Sequence, residues 1–356
     1  MTALEKAWYK PLGWSVLLLP LAWLFQVIAS IRKCGLQCRY QGRGYGVPVV
    51  VIGNISVGGT GKTPLIIALA NALIEQGVRP GVVSRGYGGS GVGTAGRVGH
   101  SQPMSVTANS AAEQSGDEAL LIARRTGCPV VVCADRVAAI HHLLAEYSVD
   151  IILSDDGLQH YRMHRDLEIA VIDGVRGLGN RLCLPAGPLR EPPRRLRSVD
   201  VVVINGGSGN LVSSVVTNVV SKVVSKVVSS RDVAEHTPVC QMTLRPDKFV
   251  NLSSGKTLGL EAWPRGQAVH AVAGIGNPQR FFDLLIELGL VPRLHRFSDH
   301  HRFTVEDIRF DDDLPVIMTA KDAVKCESWA DARCWFLEVA ALPPAELVQS
   351  ICNKLD

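Results

Sequence analysis

At 356 residues the chain has room for about two domains and a sizeable core. Hydrophobic residues make up 47% and charged residues 20%, which excludes a disordered polymer; a net charge of +4 with no long basic block excludes generic nucleic-acid binding, so no nucleic-acid partner is expected. The nine cysteines form no C-x-x-C pair and no Cys/His metal spacing, which argues against a disulfide scaffold or structural zinc and suits a reducing compartment.

The first feature in chain order is an uncharged stretch. Between Lys10 and Arg32 lie 21 residues without a charge, including WSVLLLPLAWLFQVIASI. As a helix at about 1.5 Å per residue they reach roughly 31 Å, close to the ~30 Å of a bilayer's hydrocarbon core. Trp14 near one end and Arg32, Lys33, Arg39 and Arg43 beyond the other are placed as interfacial anchors. The basic flank sets the downstream chain on the cytoplasmic side. A membrane-associated helix is expected over residues 1–35, and Pro20 and Gln26 leave open whether it spans the bilayer or lies in its surface. Two other readings compete. A cleaved signal peptide would export the chain away from cytosolic nucleotide, and a buried soluble helix would be apolar along one stripe rather than all round.

Short β-branched runs then alternate with helical stretches. VPVVVIGN precedes TPLIIALANALIEQG, and RPGVVSRG leads into a glycine-rich loop, GYGGSGVGTAG. GDEALLIARRTG and RVAAIHHLLAEY read as helices, and CPVVVCAD, VDIILSDDG, LEIAVIDG and SVDVVVING as strands. Continuous apolar runs separated by helices predict an α/β domain over 36–205, with a mostly parallel sheet covered on both faces. Ligands in such folds bind at the carboxyl ends of the strands. Residues 206–236 break the pattern, because a unit of Ser or Thr, any residue and two valines recurs four times from Ser213 to Val228. This low-complexity run is expected to be a linker. A smaller α/β unit is expected over 237–356: AVHAVAGIGNP before the helix QRFFDLLIELG, then SDHHRFTVEDI, then LPVIMTAKDAVKC as a strand. WFLEVAAL and a short C-terminal helix close the chain.

GNISVGGTGKTP carries phosphate chemistry. A strand that delivers a glycine-rich turn into a helix start aims backbone N–H groups and the positive helix end at phosphates. Gly58, Gly59 and Gly61 permit close approach, Lys62 neutralises β/γ oxygens, and the Thr63 hydroxyl can hold Mg2+. Ser56, Val57 and Thr60 complete the loop, with Ser56 where the strict pattern has glycine. Asp155 and Asp156 at the end of VDIILSDD are the candidate Mg2+ ligands, whereas Asp173 competes with them or caps the next turn. TAKD, Thr319 to Asp322, has its lysine one place late for guanine recognition, and Val57 stands where partner-activated ATPases carry a signature lysine. A small-molecule or lipid kinase using ATP remains. Its acceptor hydroxyl gains from a base, and Asp117 and Glu118 at a helix start, or Asp299, His300 and His301 in a loop, are the candidates. Helix capping and a solvated loop are the plainer readings of those residues. Arg190, Arg194, Arg195 and Arg197 form either a solvated face or a seat for an anion.

In order along the chain, GNISVGGTGKTP, SRGYG, GDE, DDGLQH, GPLREP, the FSDHH run and MTAKDAVKC resemble the tetraacyldisaccharide 4′-kinase family, membrane-associated enzymes of lipid A synthesis. The resemblance runs from about residue 10 to the C-terminus. It implies a P-loop NTPase-like fold and transfer of the γ-phosphate of ATP, with Mg2+, to the 4′-hydroxyl of a tetraacylated glucosamine disaccharide 1-phosphate. The implied location is the cytoplasmic face of a bacterial inner membrane, with the membrane surface and the lipid substrate as partners and no obligate protein partner. By the same resemblance Lys62 and Thr63 serve nucleotide and metal, Asp117 looks like the catalytic base and His300 like its partner. Arg85, Tyr87, His160 and Arg190 look like substrate or phosphate contacts. Ala320 stands where the family more usually has Glu, which leaves the role of that loop open, and the valine-rich run is atypical. Two other functions stay open: a P-loop kinase or ligase of a soluble metabolite, and a partner-stimulated nucleotide switch.

Overall fold

VVVIG, PGVVS, IILSD, LEIAVID and VVVIN each form a strand buried along its whole length. Successive side chains leave a strand on opposite faces, so a run this uniformly apolar needs cover on both. Val50 and Ile52 pack with Leu65, Leu69 and Leu73, whereas Val49 and Val51 pack with Ile140 and Leu143. The computed structural model describes residues 3–10, 13–39, 44–86, 100–206, 227–229 and 231–355. Tyr87, most of the glycine-rich run and the valine-rich segment up to residue 226 lie outside the described residues.

The first half contains α1 (Ala3–Trp8), α2 (Leu19–Arg39), β1 (Val49–Gly53), α3 (Lys62–Glu75), β2 (Pro80–Ser84), β3 (Met104–Val106), α4 (Ala112–Ser115) and α5 (Asp117–Thr126). It continues through β4 (Val130–Val132), α6 (Arg136–Glu146), β5 (Ile151–Asp155), β6 (Leu167–Asp173) and β7 (Val201–Asn205). The second half contains β8 (Val239–Asn251), β9 (Thr257–Gly259), β10 (Ala268–Ala273), α7 (Pro278–Glu287), β11 (Val291–Arg296) and α8 (Val305–Ile308). It closes with β12 (Val316–Thr319), α9 (Ala320–Cys326), β13 (Cys334–Leu342) and α10 (Ala345–Cys352).

The described strands form one 13-stranded sheet in the order β11-β10-β12-β13-β8-β7-β6-β1-β5-β2-β4-β3, with β9 added beside β8. β1 is parallel to both neighbours, β5 and β6. The chain leaves it toward β2 on one side and later returns to β6 on the other, so the loop after β1 opens at the crevice where the order reverses. β8 is the seam of the molecule. Its residues Val239–Met242 run parallel to β7, and Thr243–Asn251 run antiparallel to β13. One sheet therefore passes through both expected units. Val227 and Val228, at the end of the valine repeat, are buried in the same cluster as Val49 and Val51.

Two segments differ from expectation. LPVIMTAKDAVKC is not one strand: β12 stops at Thr319, whose hydroxyl accepts from Asp322 N at 3.2 Å and starts α9. The N-terminal apolar stretch is not one helix either. Trp14–Leu18 form a 3-10 turn before α2, and Pro20 falls in the first turn of α2, where no N–H is required of it. Ahead of that turn α1 is docked: Trp8 Nε1 donates to Pro185 O at 2.9 Å, and Asn180 N donates to Trp8 O at 2.7 Å. Trp14–Cys38 is long and apolar enough to cross a membrane. Leu17, Trp23 and Ile31 are 81%, 69% and 67% exposed, so this is not a core helix.

Candidate active site

The loop between β1 and α3 is held from three sides. Gly58 and Gly61 have φ of 96° and 90°, a region that favours glycine. Asn54 Nδ2 donates to Gly58 O at 3.3 Å, and Asn205 Nδ2, from the end of β7, donates to Thr60 O at 2.9 Å. Ser56 makes an antiparallel bridge with Leu189, and Val57 N donates to Pro188 O at 2.8 Å. That pairing explains the missing glycine: the loop's entry is extended backbone, which any residue adopts. Gly58 and Gly59 are exposed, leaving their N–H groups open to a ligand, and Lys62 and Thr63 begin α3.

The two aspartates after β5 take different environments. Asp155 is buried; Ser84 Oγ donates to its Oδ2 at 2.9 Å, while its Oδ1 has no hydrogen-bond partner among the described residues. Burial pushes this carboxyl up to about 7, with Glu118 and Asp156 adding to the rise and Lys62 opposing it. Asp156, at φ 50°, meets Lys62 Nζ at 3.2 Å and Arg190 Nη1 at 2.9 Å. Against a burial that would raise it, those two cations hold Asp156 well below the usual carboxylate range. Asp173 caps the turn after β6, accepting from Val175 N at 2.8 Å and Arg176 N at 2.9 Å.

Beside these groups lies a cleft of about 990 Å3. One wall is α2, through Phe25, Ile28, Ala29, Arg32 and Lys33; the facing wall carries Arg85, Arg136, His160, Arg190 and Arg194. Arg136 is buried and donates to Cys133 O at 2.8 Å and Asp155 O at 3.0 Å. His160 is pushed down to about 4, first by burial and then by Arg136, and so is neutral at physiological pH. The arginine cluster of the sequence splits here. Arg190 holds Asp156 and Arg194 faces the cleft. Arg195 is buried on Glu168 (2.6 Å) and Glu191 (3.3 Å), and Arg197 is exposed. Glu191 also accepts from Gln159 at 2.8 Å and from the Tyr161 hydroxyl, and it lies 3.9 Å from Lys33 of α2.

Asp117, only 3% exposed at the start of α5, faces the second half of the chain. His300 Nδ1 lies 3.3 Å from its Oδ2, Lys325 Nζ 3.2 Å and Lys321 Nζ 3.9 Å. Against burial, His300 and the two lysines hold Asp117 well below the usual carboxylate range, and Asp117 in turn raises the His300 imidazole above its ordinary value. His301 is turned away: its Nε2 meets Asp307 at 3.0 Å and its ring packs beside Phe297 and Phe303.

Several groups here escaped the sequence reading. Lys321 and Lys325 belong to the TAKD stretch whose role Ala320 left open, and the lysines reach Asp117 regardless of that neighbour. GIGNP lies between β10 and α7, the same strand–glycine turn–helix order as the P-loop, and that order was the available signal. A Cβ on Gly276 would stand 2.8 Å from Gly59 N, so this turn lies directly against the P-loop. Arg176 donates to Gly276 O at 2.5 Å, and Arg280 to Asn205 Oδ1 at 3.4 Å.

The family model described as tetraacyldisaccharide-1-P 4′-kinase matches residues 14–356. A tetraacyldisaccharide 4′-kinase of Ectopseudomonas mendocina is 46% identical over 354 residues, covering 99% of this chain and 96% of that relative. The enzyme of the same name from Azotobacter vinelandii is 46% identical over 342 residues, covering 96% and 92%. Among solved structures, an LpxK from Aquifex aeolicus in complex with ATP superposes with a TM-score of 0.71 at 23% identity, covering 96% of this chain and 99% of that one.

Proposed function

The chain belongs to the tetraacyldisaccharide 4′-kinase family and is an ATP-dependent kinase of lipid A biosynthesis, acting on the 4′-hydroxyl of a tetraacylated glucosamine disaccharide 1-phosphate; from that premise we propose how its residues divide the work. The observation that carries the proposal is the convergence, beyond the carboxyl ends of the central strands, of the P-loop, the Asp117–His300 pair and a cleft walled by α2.

Gly58 to Thr63 receive the ATP phosphates on backbone N–H groups and the start of α3, with Lys62 offsetting their charge. A bound Mg2+ would supply neutralisation of phosphate charge. Asp155 fits it, because its buried Oδ1 lacks a partner and a cation would supply one, and Thr63 offers a hydroxyl. Among the described residues no three His, Cys, Asp or Glu side chains group to hold a metal alone. Asp156, with Lys62 and Arg190 on its two oxygens, instead positions those cations.

Asp117 orients the 4′-hydroxyl and accepts its proton. Lys321 and Lys325 keep Asp117 ionised, so orientation comes first and the proton follows as charge develops on the transferred group. Acyl chains lie along the apolar face of α2, and Arg85, Arg136 and Arg194 seat the 1-phosphate opposite, with neutral His160 hydrogen-bonding the sugar. α1 docks on the body of the protein and Lys33 of α2 lies 3.9 Å from Glu191, which supports α2 lying in the cytoplasmic surface of the inner membrane rather than crossing it. In a transfer assay with labelled ATP and the acylated disaccharide, Asp117→Ala should lower turnover by about 10²–10⁴-fold with the KM for ATP within about threefold of wild type. Near-normal turnover would remove Asp117 from this role.

A further inference from the structure

Lys321 brings its ammonium to the groups assigned to proton acceptance. Its Nζ lies 2.9 Å from Glu118 Oε1, 3.3 Å from Asp299 Oδ1 and 3.4 Å from His300 Nε2. An ammonium has three N–H donors and no acceptor, so these three bonds use all of them. Glu118 belongs to α5, while Asp299 and His300 belong to the loop before α8. One side chain of α9 thus ties the two together.

The contact to His300 has a chemical consequence. Lysine can only donate, so Nε2 must accept, and the ring proton sits on Nδ1, the nitrogen that faces Asp117 at 3.3 Å. A second proton on Nε2 would point at an ammonium. We infer that Lys321 is a positioning residue of the transfer step: it selects the His300 tautomer whose Nδ1–H faces Asp117 and completes that pair across the seam. The inference rests on the roles given above to Asp117 and His300. The charged groups that face His300 among the described residues are Asp117, Asp299 and Lys321, with Lys325 behind Asp117. The two carboxylates favour its imidazolium and Lys321 opposes it. Removing the ammonium therefore lets His300 hold a proton to higher pH.

The experiment uses the full-length enzyme with ATP and acylated disaccharide in mixed micelles, following kcat and KM against pH. Lys321→Ala should lower kcat about 10²-fold with the KM for ATP within about threefold. The acid limb of kcat should move upward by about half to one pH unit, and Lys321→Arg should recover at least tenfold in kcat and return that limb. Combining K321A with H300A should cost no more than about threefold beyond H300A alone, because both act through one pair. Nitrogen-15 shifts of His300 should show the Nδ1-protonated neutral form in the wild type and a mixture in K321A. A wild-type kcat and limb in K321A overturns the inference. So does a loss with an unmoved limb, no rescue by arginine and a lowered Tm, which marks a purely structural lysine. Asp117→Asn separates the two readings: an active D117N removes the acceptor role itself, whereas an inactive D117N beside an unaffected K321A removes only Lys321.

Discussion

Gly276 tests whether the two halves touch during transfer. It is not among the glycines of positive φ, so Gly276→Ala perturbs by volume alone. The added carbon would stand 2.8 Å from Gly59 N and 3.4 Å from Asp299 Oδ2. Ordinary contact with a backbone nitrogen begins near 3.4 Å, so the turn must withdraw from the P-loop by about 0.6 Å. Arg176 holds Gly276 O, which passes part of that displacement to the loop itself. A misplacement of about 1 Å costs on the order of 10²-fold in an aligned transfer. One methyl is therefore expected to lower kcat about tenfold, and Gly276→Val about a hundredfold. Tm should stay within about 3 °C of wild type, since no core contact is lost. Gly259→Ala is the control: its φ is −63° and a Cβ there meets nothing within 4 Å. Turnover and KM for ATP come from label transfer, and Tm from calorimetry. Wild-type kcat in both Gly276 variants would refute the argument, because the turn and the P-loop would then be apart when phosphate moves.

Two further outcomes follow from the same geometry. Asp155→Asn should lower turnover by at least about 10²-fold, since the carboxylate placed to hold Mg2+ beside the phosphates is gone. A carboxyl whose folded pKa is raised stabilises below its unfolded value and loses that contribution as pH rises through about 7. In metal-free buffer at pH 8, D155N should therefore be at least as stable as wild type, and a marked fall in Tm would sink the assignment. For the apolar stretch of α2 and the turn before it, replacing Leu17, Leu21 and Leu24 (81%, 54% and 50% exposed) together by glutamate removes about 1.5–3 kcal/mol of burial each. Vesicle binding should weaken by about 10³-fold or more, and shallow brominated lipids should quench Trp14 and Trp23 better than deep ones. Unchanged binding, or quenching strongest at the bilayer centre, would count against a surface helix.

The parallel half of the sheet was legible because its strands are buried on both faces and therefore read as unbroken apolar runs. β8 was not legible. TLRPDKFV alternates weakly and contains Pro246, and its strand character comes from pairing with β13, a partner far away in the chain. The cap of α9 was written in the sequence, since a threonine with an acid three residues on is a helix-start signal, yet the apolar PVIM hid it. Ser56 looked like a defect because its partner, Leu189, lies more than a hundred residues downstream. Asp155 and Asp156 could not be told apart by spacing. Only the fold shows that one faces inward beside Ser84 and the other turns, at φ 50°, onto Lys62 and Arg190. Lys321 was passed over through its neighbour, although what matters is where its own ammonium reaches.

Charge explains why such a site should be divided between two halves of a chain. On the first half, Asp156 faces Lys62 and Arg190, whereas Asp117 and Glu118 face His300 and Lys321 of the second. On the roles proposed above, the second half supplies Lys321 and Lys325 together with His300, so neutralisation and the partners of the proton acceptor come from the same side of the seam. Transfer then depends on both halves being in place, which disfavours wasteful attack by water on ATP bound alone. On the roles proposed above, the substrates also approach from different sides: ATP at the exposed Gly58 and Gly59, the lipid along α2. The seam between the halves is where they can meet, and the lysines that cross it are the groups best placed to make chemistry wait for both.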